Sequence, residues 1–187
     1  MLKLYIFDAT KYYPMKNTIA AAVLLLCTVI SYAQVKKETL SIAWPSEIKF
    51  KVGGEEELEN MHTINYIKQE EASDKWTLLV TTSAMDIQRA SPAGMIEMFQ
   101  VSSKEASEDS KLTVLEKSGK VKNPWVLFKV ETPRFPYDPQ PQAQLYYVVQ
   151  GNNLLFVNYA AVREPVLTKA FTDKWAAVFK ASKLVYK

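Results

Sequence analysis

The chain has 187 residues, 48% of them hydrophobic, and 23 Lys and Arg against 20 Asp and Glu give a net charge of +3. That near-balance lacks the basic excess that a phosphate backbone demands, which argues against a nucleic-acid binder. A single cysteine cannot close an internal disulfide, and a single histidine removes the usual partners of a zinc site and the commonest general base of a larger constellation.

Residues 1–33 read as an export signal. Lys16 supplies the basic flank, Ile19 to Ile30 is an almost unbroken apolar run too short for a comfortable transmembrane helix, and Ser31-Tyr32-Ala33 places small residues for cleavage before Gln34. Met15-Lys16-Asn17 makes a conventional signal start by itself, so Met1 to Pro14 reads as an extension from a misplaced start codon. Cys27 raises a lipoprotein alternative, but Leu26 stands where lipid processing wants Gly, Ala or Ser. The expectation is an exported protein, periplasmic or secreted, with no stable membrane span after cleavage. Residues 34–187 then form one thiol-free domain of net charge +1, from 20 basic and 19 acidic residues. A domain of that size buries about 70% of its unfolded surface without metals or cross-links.

Thr39 to Trp44 spaces Leu40, Ile42 and Trp44 by two and predicts a first strand, ended by Trp44-Pro45. Ile48 to Val52 suggests a short extended piece closed by Gly53-Gly54, and Glu55-Glu56-Glu57 with Glu59 reads as a solvated loop. These carboxylates lack the alternating Asp/Asn pattern and distal Glu of a calcium loop. Met61 to Lys68 and Trp76 to Thr82 predict a hairpin whose His62 reads as a strand-edge residue. Ser91-Pro92 then gives a cap and a first-turn proline for a helix to about Ser103, with Met95, Ile96, Met98 and Phe99 as its apolar face. Lys104 to Lys111 is a polar connection, Leu112 to Glu116 resumes an extended pattern, Gly119 breaks it, and Trp125 to Val130 is a compact strand.

Thr132 to Gln142 carries prolines at 133, 136, 139 and 141, which forbid helix and ladder alike, so this stretch is a loop. Its Arg134, Phe135, Tyr137 and Asp138 offer aromatic and charged contacts on a pre-stiffened backbone and are the candidate binding residues. The alternative is a long connection whose aromatics fold back on the sheet. Ala143 to Tyr186 reads strand, turn, strand, helix: Leu145, Tyr147 and Val149 alternate with Tyr146, Val148 and Gln150. The turn Gly151-Asn152-Asn153 tolerates positive φ. Leu155, Val157 and Tyr159 then alternate with Leu154, Phe156 and Asn158. Both faces are apolar, so the sheet is expected to be covered on both sides. Leu167, Phe171, Trp175 and Phe179, widened by Ala170 and Val178, form the core stripe of the last helix, for which Pro165 suits the first turn.

In order the chain reads β, β, β, helix, β, β, proline-rich loop, β, β, helix, with Lys183 to Tyr186 as an optional final extended piece. The expected class is α+β, an antiparallel sheet with helices packed on it. The order of elements, Trp44-Pro45, and the ending LYYVVQGNNLLFVNYAA followed by FTDKWAAVFKASKLVY resemble the PsbP-like fold. That fold is shared by extrinsic photosystem proteins, bacterial secreted relatives and Ran-binding nuclear import regulators. The resemblance spans Thr39 to Tyr186 and implies an α/β/α sandwich acting as an accessory or binding protein without catalytic machinery; no family site residue carries over.

A serine-hydrolase elbow and a Gly-rich phosphate loop are both missing from the sequence, and a cysteine nucleophile leaves with the signal. The pairs Glu70/Glu71 and Glu108/Asp109 fall in segments read as exposed connections, which favours solvation over acid–base work. The expectation is therefore an exported accessory or binding protein with no cofactor, no metal and no catalytic residue. It recognises an envelope protein or a small ligand through its loops and a sheet face. The alternatives are a carboxylate-dependent secreted hydrolase and a structural or stress-related accessory subunit.

Overall fold

The computed structural model describes residues 38–118, 120–136 and 140–186. The signal segment, its cleavage site and the two candidate starts, with Gly119, Tyr137 and Asp138, lie outside the described residues. The elements in chain order are β1 (Glu38–Ser41), β2 (Phe50–Leu58), β3 (Met61–Lys68), β4 (Leu79–Met85), α1 (Pro92–Ala106), β5 (Lys111–Lys117) and β6 (Trp125–Thr132). They continue with β7 (Gln142–Gln150), β8 (Leu155–Val162), α2 (Lys169–Lys180) and β9 (Lys183–Tyr186). Seven strands form one antiparallel sheet in the order β2-β3-β4-β8-β7-β6-β5, and β1 pairs with β9 as a separate two-stranded ribbon. The expected α+β class with a large antiparallel sheet and packed helices is what the chain adopts.

The period-two alternation along β6, β7 and β8 divides their side chains between two cores. On one face Leu127, Leu145, Tyr147 and Phe156 meet Trp175 and Phe179 of α2. On the other, Val126, Phe128, Val148 and Val157 meet Met95 of α1, with Phe99 5.2 Å from Phe128 and 5.0 Å from Tyr146, ring centre to ring centre. Fully buried side chains of this size each contribute about 1.5–3 kcal/mol, so the three central strands and the two helix stripes hold the fold. Burial also pushes the Tyr147 hydroxyl up to about 12, with Glu116 adding to the effect, and pushes that of Tyr146 higher still. The Tyr146 hydroxyl donates to Gln144 Oε1 at 2.8 Å.

The start of α1 follows the sequence: Ser91 Oγ accepts from Gly94 N at 3.1 Å and Pro92 opens the helix. α2 begins later than expected. Its cap is Thr168, whose hydroxyl accepts from Phe171 N at 3.2 Å, while Pro165 lies in the loop before it. Leu167 is buried outside the helix because its N–H is held by Glu131 Oε1 at 3.0 Å. Ala170 is exposed, and Ala176 takes its expected place at the edge of the core.

Three strand expectations change. β1 stops at Ser41, and Trp44 instead packs on Phe50 and Tyr66 at 5.0 and 4.8 Å. β2 does not close at Gly53-Gly54: it passes through them with a register shift and carries Glu55 to Glu57 as strand residues paired with β3. β4 begins at Leu79, because Trp76 lies under the Arg163 guanidinium, 4.7 Å from the ring centre, ahead of the strand. In the β3–β4 connection Glu71 is also less exposed than expected. Its Oε1 accepts from the Thr77 hydroxyl, and its buried Oε2 has no hydrogen-bond partner among the described residues.

The β7–β8 turn departs from the expected mechanism. No glycine among the described residues has positive φ, and Arg89 is the only other residue there with positive φ, at 60°. Gly151 is required for a different reason: a Cβ there would collide with the carboxylate of Glu38. That carboxylate reaches in from β1, accepting from Asn152 N at 2.8 Å, Asn153 N at 3.0 Å and Leu154 N at 3.3 Å. Burial alone would push its pKa up, but the three backbone donors, with the Tyr186 hydroxyl, hold the carboxyl below its ordinary range.

Candidate binding groove

Along β3 the alternation that points Tyr66 into the α2-side core points Ile64 and His62 to the same face. The register then places Thr82 and Ala84 of β4, and Phe156 and Asn158 of β8, beside them. α2 lies across β7 and reaches Phe50 through Trp175, at 6.3 Å between ring centres, leaving the far ends of β2, β3, β4 and β8 uncovered. The result is a groove of about 680 Å³ whose floor is this open part of the sheet face. One wall is β1 through Thr39 and Leu40; the opposite rim is the β2–β3 turn with Leu58, Glu59 and Asn60.

Glu55 and Glu57 face the groove because they pair with Ile64 and His62, respectively. His62 Nε2 lies 2.8 Å from Glu55 Oε1 and 3.5 Å from Glu57 Oε2. His62 is therefore an edge residue of the groove, in keeping with its strand position. The two carboxylates do converge, but on an open rim where they are 58% and 76% exposed, and such solvation gives no acid–base pair the desolvation it needs. Among the described residues, no group of three or more His, Cys, Asp and Glu side chains could hold a metal ion.

Of the residues proposed from the proline-rich loop, Arg134 and Phe135 sit at a second site of about 640 Å³ against the C-terminal end of α1. Arg134 is 76% exposed, and its Nε donates to Asp109 Oδ2 at 2.6 Å. Its carbonyl accepts from Ser107 Oγ at 2.8 Å, anchoring the start of the loop. Phe135 is half-buried beside it, and Tyr137 and Asp138 fall outside the described residues. Sequence reasoning missed the larger groove. Its available signals were the i, i+2 spacing of Glu55 and Glu57 and a histidine on the neighbouring strand, hidden by the assumption that Gly53-Gly54 ends a strand.

No protein-family model matches the chain, and a search of curated proteins finds no match. Among the described residues, no helix is long and apolar enough to cross a membrane.

Proposed function

We propose that the protein is an exported accessory or binding protein, periplasmic or released, that holds a partner in the sheet-face groove and works without catalytic machinery or cofactor. The observation that carries this reading is the groove itself. Its floor is built from strand positions, with apolar Ile64, Ala84 and Phe156 beside polar Thr82 and Asn158, and its volume lies in the range of ligand sites. Arg134 and Phe135 serve as a second contact at the other end of the molecule. The placement of α1 and α2 against opposite faces of the sheet supports kinship with the α/β/α sandwich of PsbP-like type, together with the strand, strand, helix ending. Fold kinship leaves the function to the site.

The test is cross-linked capture from the envelope fraction with three forms of the protein: unaltered, Thr82→Trp to fill the groove, and Arg134→Ala with Phe135→Ala. Thr82 is half-buried in the groove lining, so a larger ring there occupies the ligand's space. Loss of one specific partner in the folded Thr82→Trp variant is expected. Identical capture by unaltered and filled forms would remove the groove from the function.

A further inference from the structure

The lining of the groove restricts what it can receive, on the reading that this groove is the binding site. Glu38, Glu55, Glu57, Glu59 and Asp86 all line it, and among the described residues no lysine or arginine does, although the chain as a whole has more basic than acidic residues. Glu38 is engaged with the β7–β8 turn and Glu55 with His62. Glu59 and Asp86, at the β2–β3 turn end, have no side-chain hydrogen bond or ion pair among the described residues. The uncompensated negative charge thus gathers at one end. The apolar surface lies along the floor and the β1 wall: Leu40, Ile64, Leu154 and Phe156. A ligand that suits both parts carries a cationic group and, some way along, an apolar side chain.

Two dimensions favour a peptide over a compact small molecule. Crossing from β2 to β8 spans three strand spacings, about 14 Å, which an extended chain covers in about four residues. Among the described residues β1, the wall, pairs with β9 alone, along one edge, and the backbone donors and acceptors of its other edge have no strand partner there. Addition of an extended segment to such an edge is an established mode of peptide recognition. We propose that the groove receives an extended peptide segment in which a lysine or arginine lies at the acidic β2–β3 turn and an apolar side chain rests over Phe156.

His62 gives a local reporter, because it is the only histidine in the chain and lies in the groove. The untagged protein, labelled at histidine, is titrated by NMR with an acetylated, amidated tetrapeptide alternating lysine and phenylalanine. The same titration is run with its glutamate and phenylalanine counterpart and with spermidine. The basic peptide is expected to move the His62 ring signals and to bind at least tenfold more tightly than the other two. Combined Glu57→Gln, Glu59→Gln and Asp86→Asn substitution is expected to weaken it about tenfold; all three side chains are exposed, and a thermal melt verifies the fold. Equal binding of the acidic peptide, equal binding of spermidine, or full binding by the triple variant overturns the proposal. If no probe moves His62 while Thr82→Trp still abolishes partner capture, the peptide class is wrong and the groove reading survives. If capture is also unaffected, both fall.

Discussion

Replacing Glu38 by alanine removes the carboxylate that joins β1 to the β7–β8 turn. The carboxylate is 4% exposed and accepts three backbone N–H groups, two of them at 2.8 and 3.0 Å. A hydrogen bond to a charged group is worth about 1.5–3 kcal/mol, and donors left without partners add their own desolvation cost. Weighting the longer Leu154 contact lightly, the loss comes to about 4 kcal/mol. For a domain of this size each kcal/mol moves Tm by about 2–4 °C, so the melting point should fall by about 10 °C. Glu38→Gln keeps the shape but turns an amide NH₂ toward backbone donors and should recover only part of this. The pH dependence has a fixed sign. The folded carboxyl titrates below its unfolded value, so the unfolded state takes up its proton first on acidification. The stability difference between unaltered and Glu38→Gln proteins should be full above about pH 4.5 and shrink as pH falls through the folded value. Denaturant melts between pH 3 and 7 measure it. A Glu38→Ala protein melting within 2 °C of the unaltered one, or a gap that widens in acid, would refute the capping argument.

Other outcomes follow from the same geometry. Gly151→Ala should lower stability by several kcal/mol in the unaltered protein and by much less in a Glu38→Ala background, where the collision partner is gone; a double-mutant cycle of thermal melts reads the coupling. Gln150, 4% exposed, accepts from Ala90 N at 2.9 Å and donates to the Ile87 carbonyl at 3.1 Å; Gln150→Ala should cost about 2–4 kcal/mol in chemical denaturation. Trp175→Ala, at 1% exposure on the buried face of α2, should cost about 3–5 kcal/mol by the same assay. Burial pushes the Tyr147 phenol up to about 12 from its ordinary value of about 10, so its contribution is intact below pH 10 and is lost as pH rises toward 12. Ultraviolet titration should show it ionising after the exposed tyrosines or together with unfolding.

The parts of the fold visible in the sequence were those set by local pattern. The alternation in Trp125–Val130 and in the stretch after Ala143 identified the central strands, and Ser91-Pro92 fixed the start of α1 to the residue. What escaped depended on partners far away along the chain. Nothing around Gly53-Gly54 signals that β3 is there to carry the strand through a register shift and into the glutamates. Pro165 has the right chemistry for a first turn, yet Glu131 captures the Leu167 N–H and delays the helix to Thr168. Gly151-Asn152-Asn153 was recognisable as a turn, but its glycine answers to Glu38, over a hundred residues earlier, and not to its own φ. For the site, Arg134 and Phe135 were legible because prolines advertise a loop. The groove was not, because an open sheet face is defined by where α2 stops.

The β1–β9 ribbon also sets an order of events. Among the described residues Glu38–Ser41 has no strand partner except Lys183–Tyr186, so the first described strand cannot pair until the last is in place. The sheet from β2 to β8 and its helices can assemble before then, with Glu38 free to engage the β7–β8 turn as soon as that turn exists. Closure of so long a loop adds little entropy beyond that of a shorter one, but it cannot begin until Lys183–Tyr186 is available. Among the described elements the groove wall is therefore the last to be finished, and a chain cut short before Lys183 would carry the floor of the groove with β1 deprived of the one strand partner it has among the described residues.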